Sequence, residues 1–140
     1  MKAHLTRRYL FSASHRLHSD QLTEEQNRAV YGKCNNPHGH GHNYNLEVTV
    51  SGKVDAKTGM VYDLGRLDST VKREVLDRFD HENLNTRTEF STNVPTTENL
   101  SELIFNILKQ SLSGVHLEKV RLEETMMNSF EYAGGAELHR

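Results

Sequence analysis

His38-Gly39-His40-Gly41-His42-Asn43-Tyr44-Asn45-Leu46-Glu47-Val48-Thr49-Val50-Ser51 carries two patterns at once. From Asn43 to Val54, Tyr44, Leu46, Val48 and Val50 alternate with Asn45, Glu47, Thr49 and Ser51. That period of two marks a strand with one buried face. Just ahead of it three histidines alternate with glycines, and the only cysteine, Cys34, lies six residues before His40. Residues two apart on a strand project from one face, so a strand through this run would set His38, His40 and His42 in a row. Two neighbours of such a row can chelate one cation. A catalytic zinc takes three protein ligands and keeps a fourth position open, and His15 in Phe11-Ser12-Ala13-Ser14-His15-Arg16-Leu17 is the first candidate for the third. A histidine-rich surface loop is the competing reading. His-Gly-His-Gly-His beside a lone cysteine favours the metal.

Outward from this stretch the chain reads as one domain spanning 1–140, with no linker, repeat or low-complexity tract. His4 to Phe11 is a short β-rich run. Thr23 followed by Glu24 and Glu25 starts a short helix to Tyr31. Asp55-Ala56-Lys57-Thr58-Gly59 is a hairpin turn, with Met60 to Tyr62 as the returning strand. Asp63 caps a helix to about Phe79, whose Leu64, Leu67, Val71, Val75 and Phe79 fall at helical spacing. A polar loop spans Asp80 to Pro95. Thr96 or Thr97 then caps a helix with Leu100, Leu103, Ile104, Ile107 and Leu108 in one apolar stripe, ended by Ser113-Gly114. Val115 to Thr125 and Phe130 to Tyr132 are the last strands. The main order is strand, strand, helix, helix, strand, strand, which predicts an α+β fold: an antiparallel four-stranded sheet with two helices on one face. So small a layer leaves sheet edges to be covered, and oligomerisation is expected.

Composition narrows the function. The chain has 140 residues, 17 Lys plus Arg against 19 Asp plus Glu, and a net charge of −2. No basic stripe or tail stands out, so nucleic acid is not an expected partner. A single cysteine inside a histidine cluster suits a reducing compartment. The first eleven residues lack the apolar core of a signal peptide, and no apolar run has the length of a membrane span, so a cytoplasmic, soluble protein is expected.

Four clusters offer chemistry. His15, His40 and His42 can hold zinc as neutral imidazoles, leaving the ion its full charge to polarise hydroxyl or carbonyl oxygens. Cys34, flanked by Lys33, Asn35, Asn36 and Pro37, does not sit in core sequence; a nearby metal, Lys33 or imidazolium would lower its pKa and supply a thiolate base or nucleophile. Asp80-His81 is by default a helix end and a solvated loop, and gains meaning as a proton relay only beside Cys34. Of Glu123 and Glu124 one must face inward on an alternating strand, where it would suit a ligand with paired N–H donors. Asn99-Leu100-Ser101 matches a glycosylation pattern but falls in a helix. His4, His18, His116 and His139 have no partners in sequence and are expected at the surface.

Taken together the motifs resemble the 6-pyruvoyl-tetrahydropterin synthase family. The likeness runs through Phe11–Leu17, Gly32–Pro37, His40–Tyr44, Asp80-His81-Glu82-Asn83-Leu84, Pro95-Thr96-Thr97-Glu98-Asn99 and Glu124-Thr125. It implies the tunnelling fold (T-fold), in which three subunits join their sheets into a barrel and two trimers stack into a homohexamer with active sites at subunit interfaces. It implies His15, His40 and His42 as ligands of Zn2+, and Cys34 as the proton-abstracting residue. It implies Asp80 with His81 as a relay, His81 coming from a neighbouring subunit. Glu124 would anchor a pterin ring, with Thr96, Thr97 and Glu98 lining its pocket. His38 is not implied as a ligand. The implied reaction is that of a carbon–oxygen lyase acting on phosphates: 7,8-dihydroneopterin triphosphate loses triphosphate and gives 6-pyruvoyl-tetrahydropterin, a step of tetrahydrobiopterin-type biosynthesis. A related branch, the 6-carboxytetrahydropterin synthases of queuosine biosynthesis, releases acetaldehyde and triphosphate from the same substrate. Its members resemble Cys-x-x-x-His-Gly-His, whereas five residues separate Cys34 from His40 here. A branch that carries Glu in place of the cysteine is disfavoured by Cys34. A pterin- or metal-binding module without turnover is the non-enzymatic alternative.

Overall fold

The computed structural model describes residues 1–135; His139 lies outside them. Strand β1 (Lys2–His15) pairs antiparallel with β2 (His40–Lys53) over its full length, Lys2 opposite Lys53 and His15 opposite His40. Helix α1 (Glu24–Tyr31) and the 3₁₀ turn Gly32–Asn35 fill the connection. After β2 come α2 (Leu64–Val71), a π-helical turn (Lys72–Leu76), a last α-helical turn α3 (Asp77–Phe79) and a two-residue strand β3 (Glu82–Asn83). Helix α4 (Thr97–Ser111), β4 (His116–Glu123) and β5 (Ser129–Tyr132) complete the order. The sheet runs β3-β1-β2-β4-β5, antiparallel except for the short parallel β1–β3 pairing. The α+β class stands, with a fifth, two-residue strand added at one edge.

Period two sets the layers. Phe11 and Ala13 of β1, Tyr44, Leu46, Val48 and Val50 of β2, and Val120 and Leu122 of β4 are buried on one face. Leu67, Val71, Val75 and Phe79 of the α2–α3 segment and Leu100, Ile104 and Leu108 of α4 close the same core. Each such side chain contributes on the order of 1.5–3 kcal/mol of burial. The caps form as the sequence specifies. Thr23 and Gln26 make a reciprocal capping box, Asp63 accepts from Gly65 and Arg66, and Thr96 accepts the Asn99 N–H at 3.1 Å. The π turn adds a residue of phase between Val71 and Phe79, and both remain fully buried.

The opposite face of the sheet is polar. Thr6 and Thr49 hydroxyls meet at 2.8 Å, and Glu47 lies 3.3 Å from Arg8 and 3.0 Å from Arg121. His4 and His116, expected to stand alone at the surface, flank Glu118 at 3.6 and 3.7 Å. His18 is half-buried and accepts from the Asn35 amide at 3.1 Å. The partners of His4 and His18 are far apart from them in sequence, whereas Glu118 stands two residues from His116 on the same strand face.

Met60 to Tyr62 form no strand. The turn itself closes, Gly59 N–H donating to Asp55 O at 2.7 Å and Asp55 N–H to Met60 O at 2.9 Å. Strand β2 is paired with β1 on one edge and β4 on the other, so the returning segment finds no free edge. The first strand is also longer than the run His4–Phe11, because pairing with β2 carries it on to His15.

Replacing Leu46 by Ala is expected to destabilise the protein by about 2–5 kcal/mol, and Thr96→Ala by about 1 kcal/mol through loss of the α4 cap. Urea unfolding at fixed protein concentration checks both, and equal effects would contradict the layer assignment.

Candidate metal and active site

The register of β1 on β2 assembles the site. His15 lies opposite His40, and Ala13 opposite His42, so the three imidazoles share the helix-covered face. Their ring centroids are 4.7–5.0 Å apart. His38 is not in the row: β2 begins at His40, and His38 is exposed in the turn before it. Gly39 makes that turn with φ +71°, and a Cβ there would stand 3.1 Å from the His15 carbonyl oxygen. Glycine is required at this position on both counts.

His15 is 1% exposed, and its Nδ1 lies 2.8 Å from the Pro95 carbonyl. A carbonyl only accepts, so Nδ1 carries the proton and Nε2 presents a lone pair to the cluster. Burial pushes the His15 and His42 imidazoles below their ordinary pKa, which keeps them neutral as a metal requires. His15 Nε2 and His40 Nδ1 are buried with no hydrogen-bond partner, and His42 Nε2 has only a Glu124 oxygen beside it. Each such orphan costs on the order of 1–3 kcal/mol, and a cation bound among them would remove that cost.

Glu124 completes the group. It follows Leu122 and Val120 in strand parity, which answers which of Glu123 and Glu124 faces inward. One carboxylate oxygen lies 2.9 Å from His42 Nε2 and 3.7 Å from His15 Nε2, while the other accepts the Thr97 hydroxyl at 2.9 Å. Donor atoms of His15, His40, His42 and Glu124 all lie within 4.8 Å of one another. Three imidazoles and a carboxylate are a nitrogen–oxygen set that suits zinc, and these four residues can hold a metal ion. The approach of Glu124 to the histidines has no counterpart in local sequence, because it depends on the β2–β4 register.

The other candidates fall around this group. Thr97 is buried beneath Glu124, Thr96 is occupied as the α4 cap, and Glu98 is exposed on the first turn of α4. Cys34 is half-buried in the 3₁₀ turn, tied to the strand end where Leu17 N–H donates to its carbonyl at 2.7 Å. Burial first, and the Glu124 charge second, push its thiol pKa up, opposite to the lowering expected from Lys33 or an imidazolium. Asp80 and His81 clamp β1: Ser12 N–H donates to Asp80 Oδ1 at 2.9 Å, and His81 N–H donates to Ser12 O. His81 sits at φ +61°, its Nδ1 3.0 Å from Asp80 and its side chain 82% exposed. No hydrogen bond or ion pair joins His81 to Cys34 within the subunit among the described residues.

A family model described as 6-pyruvoyl tetrahydropterin synthase matches residues 4–135. The chain belongs to the 6-pyruvoyl tetrahydropterin synthase family. A 6-pyruvoyl tetrahydrobiopterin synthase of Drosophila melanogaster is 46% identical over 134 residues, covering 94% of this chain and 80% of that one. The Homo sapiens protein of that name is 43% identical, covering 95% and 92%. The solved structure of Caenorhabditis elegans 6-pyruvoyl tetrahydropterin synthase superposes with a TM-score of 0.92 at 43% identity, covering 96% of this chain and 97% of that one. A 6-carboxy-5,6,7,8-tetrahydropterin synthase of Haemophilus influenzae is more distant, 34% identical over 72% of this chain and 84% of its own. The family is one of lyases, and the fold matches its T-fold members.

In the metal-free protein, Glu124→Gln removes a negative charge near Cys34 and is expected to lower the thiol pKa, speeding alkylation by iodoacetamide near neutral pH. An unchanged pH profile of alkylation would show that the carboxylate exerts no field at the sulfur.

Proposed function

We propose that this protein is a zinc-dependent 6-pyruvoyl-tetrahydropterin synthase, converting 7,8-dihydroneopterin triphosphate to 6-pyruvoyl-tetrahydropterin with elimination of triphosphate. The observation that carries the reading is the convergence of the His15, His40 and His42 imidazoles with Glu124, donor atoms within 4.8 Å of one another, with Cys34 on the adjoining turn. A zinc ion held there supplies Lewis acidity to the vicinal hydroxyls of the substrate side chain. Glu124, oriented by the Thr97 hydroxyl, accepts paired N–H groups of the pterin ring and fixes its orientation. Cys34 takes a proton from the side chain, and triphosphate leaves with the C–O bonding pair. Tautomerisation then delivers the keto groups, so no external oxidant enters. Asp80 holds His81 at the subunit surface, from which it would reach the site of a neighbouring subunit and relay the proton.

The same proposal places the chain in a homohexamer. Before the Ser12 clamp and the two residues paired with β3, β1 presents an open edge from Lys2 to Phe11 among the described residues, and β5 presents the other. Joining these edges between three subunits would close a barrel lined by the polar face of the sheet. No helix among the described residues is long and apolar enough to cross a membrane, and a cytoplasmic setting is part of this proposal.

Mass spectrometry of the products from zinc-loaded protein and 7,8-dihydroneopterin triphosphate tests the reaction. A 6-pyruvoyl product with free triphosphate is expected, whereas a 6-carboxy product with acetaldehyde would place the protein with the queuosine branch. Unchanged substrate with zinc bound would move it to a binding role. Cys34→Ala is expected to keep zinc and lose turnover, and His42→Ala to weaken zinc binding by more than about 100-fold, read by metal analysis after dialysis. Activity retained in Cys34→Ala would overturn the base assignment.

A further inference from the structure

Beside the histidine cluster lies a groove of ≈ 650 Å³ whose lining includes His40, Arg16, His18, Arg28 and Lys33, with Glu24 the one carboxylate on its wall. Several arginines elsewhere on the fold are paired: Arg7 with Asp68, Arg87 with Glu82 and Glu89, Arg121 with Glu47. Among the described residues, Arg16, Arg28 and Lys33 have no carboxylate within ion-pair distance. Three cations without ion pairs around one concavity give it a positive field that favours an anion.

The groove is also built rather than incidental. Asn35 is 7% exposed and organises its floor, its amide donating to Leu17 O at 2.7 Å and to His18 Nδ1 at 3.1 Å. His18 therefore accepts at Nδ1 and, when neutral, carries its proton on Nε2, which makes it a donor. Asp20 Oδ1 lies 3.8 Å from that Nε2, but its side chain is fully exposed. The Asn35 carbonyl accepts from Arg16 Nε at 3.1 Å, while Asn85 clamps the Arg16 backbone, accepting at 2.6 Å and donating at 2.8 Å. One edge of the guanidinium is thus fixed, and its terminal nitrogens have no hydrogen-bond partner among the described residues.

Direction along β2 completes the case. His40, His42 and Tyr44 follow one another on one face over about 13 Å, at ~3.3 Å per residue. The groove adjoins His40, whereas Glu124 adjoins His42 and continues the β4 register toward Tyr44. A substrate with its ring at Glu124 and its hydroxylated side chain over the histidines would carry its far end past His40.

We propose that this groove seats the triphosphate of the substrate, with Arg16 as a pinned fork and Arg28, Lys33 and His18 closing on the phosphates. The assignment of the anion to the substrate rests on the synthase reading; the recognition of a triphosphate by the groove does not. Calorimetric titration of zinc-loaded protein with inorganic triphosphate, with zinc content measured afterwards, is the test. Wild type should bind, and Arg28→Gln with Lys33→Gln should weaken binding about 10-fold or more per cation removed, with a shallower salt dependence. Binding of biopterin, which lacks phosphate, should be unchanged in the same variant, showing the centre intact. Equal triphosphate affinity in variant and wild type, or no binding by wild type that retains zinc, overturns the proposal. Variant-sensitive triphosphate binding in a protein that makes no pterin product would uphold the groove and remove the synthase reading. Normal turnover with an unchanged KM for dihydroneopterin triphosphate in the variant would do the reverse.

Discussion

Pairing of β1 with β2 in the register that sets His15 against His40 is the constraint on which the rest of the structure depends. A slip of one residue would turn Phe11, Ala13 and His15 to the polar face and strand Ser12 and Ser14 in the apolar core. The apolar half of each strand and the metal-binding half are therefore specified by one choice. Phe11 stacks on Tyr44 at 5.1 Å between ring centroids, and the next rungs beyond it bear Ala13 with His42 and His15 with His40. Hydrophobic burial along Tyr44, Leu46, Val48 and Val50 fixes the register, and the imidazoles at the strand ends inherit it. The positions of the three donors are thus set by the same register that builds the core.

The helical layer supplies the orientation that the sheet lacks. Pro95, two residues before α4, sets the His15 tautomer through its carbonyl, and the first turn of α4 gives Thr97, which holds Glu124. Both contacts come from the segment Pro95–Thr97, so placement of the α4 N-terminus tunes the direction of a lone pair and of a carboxylate together. Thr96 anchors that segment as the cap. This explains why Pro95-Thr96-Thr97 can matter for the site although only one of its side chains points at the metal cluster.

Much of this was legible in the sequence because it rests on periodicity and local chemistry. The β2 alternation, the stripe of α4, and the caps at Thr23, Asp63 and Thr96 are short-range signals. The histidine trio was legible through motif resemblance together with strand parity. Other features were not, for identifiable reasons. Met60–Tyr62 has strand-like residues after a sound turn, but strand formation depends on a free edge, which is a property of topology. The Cys34 thiol was expected to be acidified by a metal, Lys33 or an imidazolium; in the folded chain burial dominates and the charge that acts on it is Glu124, ninety residues away in sequence. The β1–β3 clamp at Ser12 likewise joins residues that sequence order keeps apart.

One subunit holds its reacting groups in unequal states of readiness. His15 and Thr97 are buried and His40, His42 and Glu124 half-buried beside them, whereas His81 is held in a left-handed backbone conformation with its ring in solvent. Non-glycine residues occupy that region at an energetic cost, and histidine only somewhat less than most. Here the cost is offset by the paired backbone and Asp80 contacts to Ser12, which fix the direction of the ring outward from the sheet edge. A residue fixed outward beside an open strand edge is placed for a surface other than its own subunit's interior. The same β1 that aligns the three histidines on one face also anchors, through Ser12, the turn that bears His81. A change that shifts β1 would therefore disturb the histidine cluster and the His81 turn together.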